Sequence, residues 1–123
     1  MTENTREVFL LEQKIMDMIE YSYVILRSFP KSEKFALCAD IKQVEDILLE
    51  RCIEAEKKYT KKTTLQEMDI SVAKLRSYIR LSFNLKFINL HQYEVWSGKV
   101  VEIGKMLGGW IKTVKDQPHQ HKG

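Results

Sequence analysis

Apolar residues return every three or four positions through four long stretches of this chain, a period that sets them along one side of an α-helix. The last stretch shows it most cleanly: Tyr93, Trp96, Val100, Ile103, Leu107, Trp110 and Val114. Val8, Leu11, Ile15, Met18, Ser22 and Ile25 keep the same rhythm near the start. Leu37, Ile41, Val44, Leu48, Cys52, Ala55 and Tyr59 repeat it, and Leu65, Met68, Val72, Leu75, Ile79 and Ser82 carry it through the third stretch. Pro and Gly number two and five in 123 residues, too few for the turns of an all-β chain. Phe29-Pro30 ends the first stretch, because the residue before a proline is pushed out of the α region. Tyr59 to Thr63 forms a turn, and Phe87-Ile88-Asn89 a short connection. The spacing predicts an all-α fold, an up-down-up-down antiparallel four-helix bundle over residues 1–115. Its helices are expected at about 7–28, 31–58, 64–86 and 90–114, with a disordered tail over 116–123.

Local signals refine these limits. Thr64 with Glu67, and Asn89 with Gln92, have the spacing of a capping box, in which each side chain satisfies a free backbone N–H of the other. Cys38 and Cys52 stand fourteen positions apart in one predicted helix. At ~1.5 Å per residue that is roughly 21 Å, well beyond the ~7 Å a disulfide spans. Both read as small buried residues in a reducing cytoplasm. The first helix also carries Phe9, Leu10, Met16, Ile19, Tyr23, Val24 and Leu26 off its seam, as the third carries Tyr78, Leu81, Phe83 and Leu85. Such excess means that the first helix lies deep in the bundle or meets another subunit. Gly104, Gly108 and Gly109 each cost a helix about 1 kcal/mol relative to alanine. They are expected where a neighbouring backbone comes close, within the subunit or between subunits, with a glycine hinge as the alternative.

Charge is divided along the chain. Residues 1–56 hold seven Lys/Arg against twelve Asp/Glu, a balance of −5, and residues 57–123 hold thirteen against five, a balance of +8. Asp40, Glu45, Asp46, Glu50, Glu54 and Glu56, off the second seam, supply much of the acidic half. The basic half suits a polyanion. Lys57, Lys58, Lys61 and Lys62 cluster at the turn, and Lys74, Arg76 and Arg80 follow on the third helix. Arg76 and Arg80 are four apart and each follows a core residue, so they share a flank, and guanidinium suits bidentate phosphate contact. The competing reading has these arginines covering apolar surface and pairing with glutamates of the second helix, and the lysines as a solvated turn. Tyr59 and Tyr78 fall on or beside seams and are read as packing, which leaves phosphate contact without base stacking.

Catalytic signatures are missing. No Glu stands three before a histidine, as a di-iron bundle requires, and there is no Cys-x-x-Cys, Walker loop or Gly-x-Ser-x-Gly. His91 beside a helix start is read as capping or packing, and His119 with His121 as a weak pair on the tail. No enzyme, catalytic residue, metal or cofactor is expected. The polar N-terminus does not resemble a secretory signal, and no apolar run approaches the ~18 residues of a membrane span. A cytoplasmic protein without membrane contact is expected.

Four segments carry a family resemblance, the last three narrowing it. Phe29-Pro30-Lys31-Ser32-Glu33-Lys34-Phe35-Ala36-Leu37 resembles the start of the second helix in a family of small four-helix bundles. That family includes proteins encoded within intervening sequences of large-subunit ribosomal RNA genes. Tyr59-Thr60-Lys61-Lys62-Thr63-Thr64-Leu65, Leu75-Arg76-Ser77-Tyr78-Ile79-Arg80 and Glu102-Ile103-Gly104-Lys105-Met106-Leu107-Gly108-Gly109-Trp110-Ile111 make the chain similar to the accessory variability determinants (Avd) of diversity-generating retroelements. The resemblance covers about residues 8–114. It implies a homopentamer with a basic surface that joins the retroelement reverse transcriptase and template RNA or RNA/DNA hybrid and supports mutagenic cDNA synthesis, with no catalytic residues of its own. Arg76 and Arg80 match its Leu-Arg-x-x-x-Arg pattern and are the first candidates for nucleic-acid or polymerase contact. The alternative is a structural oligomer of the ribosomal intervening-sequence type with protein-only partners.

Overall fold

A computed structural model of the chain describes residues 2–115. The described residues form four α-helices, α1 (Thr2–Leu26), α2 (Leu37–Lys57), α3 (Lys62–Asn84) and α4 (Leu90–Lys115), with a 3₁₀ turn at Lys31–Glu33 before α2. Each helix packs against its neighbours in sequence, and α1 closes the ring against α4, while the diagonal pairs scarcely meet. The result is an antiparallel four-helix bundle. The four seams meet at its centre: Leu11, Ile15, Met18, Ile41, Leu48, Cys52, Leu65, Met68, Leu75, Ile79, Trp96, Val100, Ile103 and Leu107 are all buried. Cys38 and Cys52 are both buried and unbridged.

The helix limits depart from expectation where tertiary contacts outrank local signals. The second helix does not run from residue 31. Pro30 leads into the 3₁₀ turn, and Ala36 takes an irregular φ of −114° and ψ of −103°. This break sends Phe35 into solvent and turns Leu37 and Cys38 inward. The third helix starts at Lys62, two residues earlier than expected, with no side-chain cap. Thr64 is buried inside its first turn, where its hydroxyl accepts a hydrogen bond from Lys58 Nζ at 2.9 Å. Glu67 leaves the helix start to meet Arg51 of α2 at 2.9 Å. The expected Thr64–Glu67 box is therefore not formed. The Asn89–Gln92 box is: Gln92 N donates to Asn89 Oδ1 at 2.8 Å and Asn89 N to Gln92 Oε1 at 2.9 Å.

Two further expectations are corrected, those for Tyr59 and Glu45, and two open alternatives are narrowed, those for the first helix and the glycines. Tyr59 does not continue the α2 seam, because α2 ends at Lys57; its side chain is 97% exposed. Glu45 is not a solvent-facing acid but lies in the core, 1% exposed. The first helix is not deeply buried, since Phe9, Leu10, Tyr23 and Val24 face outward. No backbone within the chain crowds the glycines: a Cβ on Gly104 would meet only Val72 Cγ1, at an ordinary 3.5 Å, and Gly108 and Gly109 border open space. Among the described residues no helix is long and apolar enough to cross a membrane. The tail over 116–123, with His119 and His121, lies outside the described residues.

Candidate nucleic-acid interface

The orientation of α3 follows from its contacts. Glu67 reaches α2 through Arg51, whereas Phe83 lies against Tyr93 of α4 with ring centroids 4.8 Å apart. Successive residues of a helix are turned by about 100°. Lys74 therefore falls on the α2 flank with Glu67, and Arg76 and Arg80 on the α4 flank with Phe83. All three are exposed. The expected common surface of α3 is thus two surfaces, with Lys74 apart from the arginine pair.

Pairing of these arginines with acids of the second helix is not what α2 and α3 use to join. Arg51 does that work, at 3.6 Å from Glu50, 3.2 Å from Glu54 and 2.9 Å from Glu67. Among the described residues Arg76 and Arg80 form no ion pair. Their guanidinium groups remain available to an external anion.

The lysine-rich turn divides differently. Lys58 is held by Thr64 and lies 3.9 Å from Glu54. Lys61 stacks over the Trp110 ring at 5.5 Å, which brings the last turn of α4, with Lys112 and Lys115, to the same end of the bundle. Lys57 and Lys62 are exposed and form no ion pair among the described residues. From Lys62 to Arg76 is roughly 21 Å along α3 at ~1.5 Å per residue. The seven predicted residues therefore make an end cluster and a flank pair, with Lys74 on the opposite flank. Sequence reading missed Lys112, Lys115 and the accessibility of Tyr59. The usable signal for Tyr59 was its place just past the last turn of a helix, among four lysines.

Acidic groups between α1 and α2 sharpen the field. Burial pushes the Glu45 carboxyl up to about 8, with the Ser22 contact and the Lys42 charge pulling the other way. Burial, then the neighbouring Glu12 carboxyl, pushes Glu56 up to about 7. Near neutrality the acidic half thus carries less negative charge than its composition implies. Burial together with Glu56 and Glu12 drives the Cys52 thiol up to about 12, which leaves it a poor nucleophile. No group of three or more His, Cys, Asp or Glu among the described residues is arranged to hold a metal.

Comparison with known proteins follows the same lines. The family model described as bAvd-like, for bacterial accessory variability determinant, matches residues 9–114. A solved structure of a protein of unknown function from the S23 ribosomal protein family of Bacteroides thetaiotaomicron superposes with a TM-score of 0.77. It is 16% identical and the match covers 86% of this chain and 98% of that one, a likeness of fold. No curated protein matches the chain.

Proposed function

The chain belongs to the bAvd-like family, and from that premise we propose that it is a non-enzymatic accessory protein of a diversity-generating retroelement. In this reading it forms a homopentamer and binds the reverse transcriptase and the template RNA or its RNA/DNA hybrid through a basic surface, supporting mutagenic retrohoming. The observation that carries the reading is the Arg76–Arg80 pair, two exposed guanidinium groups on one flank of a rigid helix, unpaired among the described residues. Five copies at +3 each would repeat that pair around a ring carrying about +15. Contacts of this kind are to phosphate, so binding to template RNA should weaken steeply as salt rises. Replacing both arginines by alanine should weaken binding and flatten the salt dependence without changing the oligomeric mass. Unchanged affinity in that double variant would remove the arginines from the interface.

One observation favours a second reading. The outward face of α1, with Phe9, Leu10, Tyr23 and Val24, is a surface suited to protein contact. A structural oligomer with protein-only partners would use that face alone. It predicts no RNA binding even at low salt, which separates the two.

A further inference from the structure

Tyr59 is 97% exposed, the most exposed of the chain's large hydrophobic side chains among the described residues, and it sits in the connection between α2 and α3 with lysines at 57, 58, 61 and 62. From this juxtaposition we propose that Tyr59 is a stacking platform for an unpaired base, and that the end of the bundle it crowns takes single-stranded nucleic acid. The inference deepens the proposed function and rests on it.

The mounting of the ring is defined on both sides. Lys58 leaves α2 in extended conformation, φ −80° and ψ 147°, with its ammonium held by Thr64 and Glu54. Lys61 is laid over Trp110. Those two lysines fix the strand that carries Tyr59, while Lys57 and Lys62 stay exposed beside it for phosphates. The start of α3 at Lys62 has no side-chain cap, so no side chain of this end competes for an anion brought to the helix start. Lys112 and Lys115 of α4 complete a positive rim. An aromatic face between cationic groups matches the alternation of base and phosphate along a single strand. A duplex offers no such fit, because its bases are already stacked and paired. Phe35, the other exposed loop aromatic, differs in that its own neighbour Lys34 already lies over the ring at 5.4 Å.

The test uses a labelled short oligouridine, a blunt RNA duplex of equal length and an abasic strand with the same number of phosphates. Tyr59→Ala should bind the oligouridine about tenfold more weakly, a loss in the range of one base–aromatic stack, and Tyr59→Phe should bind it as the native chain does. The duplex and the abasic strand should not distinguish Tyr59→Ala from the native chain. Equal binding of oligouridine by Tyr59→Ala overturns the stacking role, and leaves a protein partner as the occupant of Tyr59. A uniform loss across all three probes overturns it too, since stacking requires a base. If the native chain binds none of them at low salt, the proposed function fails and this inference with it.

Discussion

Ser22 has one hydroxyl proton and two oxygens within reach, the Ile19 carbonyl at 3.0 Å and Glu45 Oε1 at 2.8 Å. The carbonyl can only accept. If Ser22 donates there, the contact with Glu45 is satisfied by a protonated carboxyl donating to Ser22 Oγ, which agrees with burial pushing that carboxyl up to about 8. A carboxyl held neutral in the fold and ionised in the unfolded chain binds more protons folded than unfolded. Stability is then full below the ordinary value of 4.5 and declines as pH rises to about 8, levelling off beyond. The substitution Glu45→Gln keeps the shape and a donor but leaves nothing to ionise. The variant should match the native chain near pH 4 and exceed it above pH 8, by roughly 5 kcal/mol from the linkage relation. Urea melts across that range check this. Glu56, pushed up to about 7, contributes a similar slope in both proteins and cancels from the comparison. Parallel curves for the two proteins would mean that Glu45 is ionised in the fold.

The helix ends show what the chain discloses locally and what it hides. Asn89–Gln92 and Thr64–Glu67 present the same spacing, yet only the first forms its box, because Lys58 and Arg51 claim the side chains of the second. Those partners lie outside the motif, so no local pattern could rank the two boxes. The seams were legible except at Tyr59, past the end of α2, since burial follows the three-four period on every helix; Glu45 escaped because a carboxylate at an inward position reads as an exposed acid. Arg76 and Arg80 were legible as a pair through their spacing of four. Their separation from Lys74 depends on which neighbour lies on which flank of α3, and the tertiary contacts decide that. The close of α3 is another hidden feature. Lys86 N donates to Phe83 O and Phe87 N to Ser82 O, both at 2.9 Å, the paired bonds of a Schellman motif. Its left-handed residue is Lys86, φ 66°, where glycine is usual. Lys86→Gly should raise stability by about 1 kcal/mol, since it removes the Cβ penalty of that conformation. A thermal melt shifted downward would show that the lysine side chain contributes more than its backbone costs.

Assembly is argued at the scale of the whole molecule. On α1 the seam residues face inward, and Phe9 and Val24 stand 68% and 59% exposed on the far side, with Leu10 and Tyr23 next to them. Phe9 and Val24 stand roughly 22 Å apart along the helix at ~1.5 Å per residue, and Tyr23 lies under Lys42 Nζ at 4.5 Å, so the outward face of α1 is apolar toward its two ends. A second copy would cover it without any new residue type, and the ring form repeats one contact around a closed circle. Because both side chains are exposed, Phe9→Glu with Val24→Glu should leave the helical content of the chain unchanged. The same double variant should convert the assembly into a smaller species in light scattering, since a carboxylate on each facing surface has no partner there to offset its desolvation. Repeating the RNA titration on that smaller species then tests how binding depends on assembly. If the flank arginines act together around a ring, affinity should fall with copy number although every arginine is still present, through lost avidity. A native chain that is monomeric at micromolar concentration would end the ring proposal at once. A monomeric double variant with native affinity would keep the arginine site and assign α1 to assembly alone.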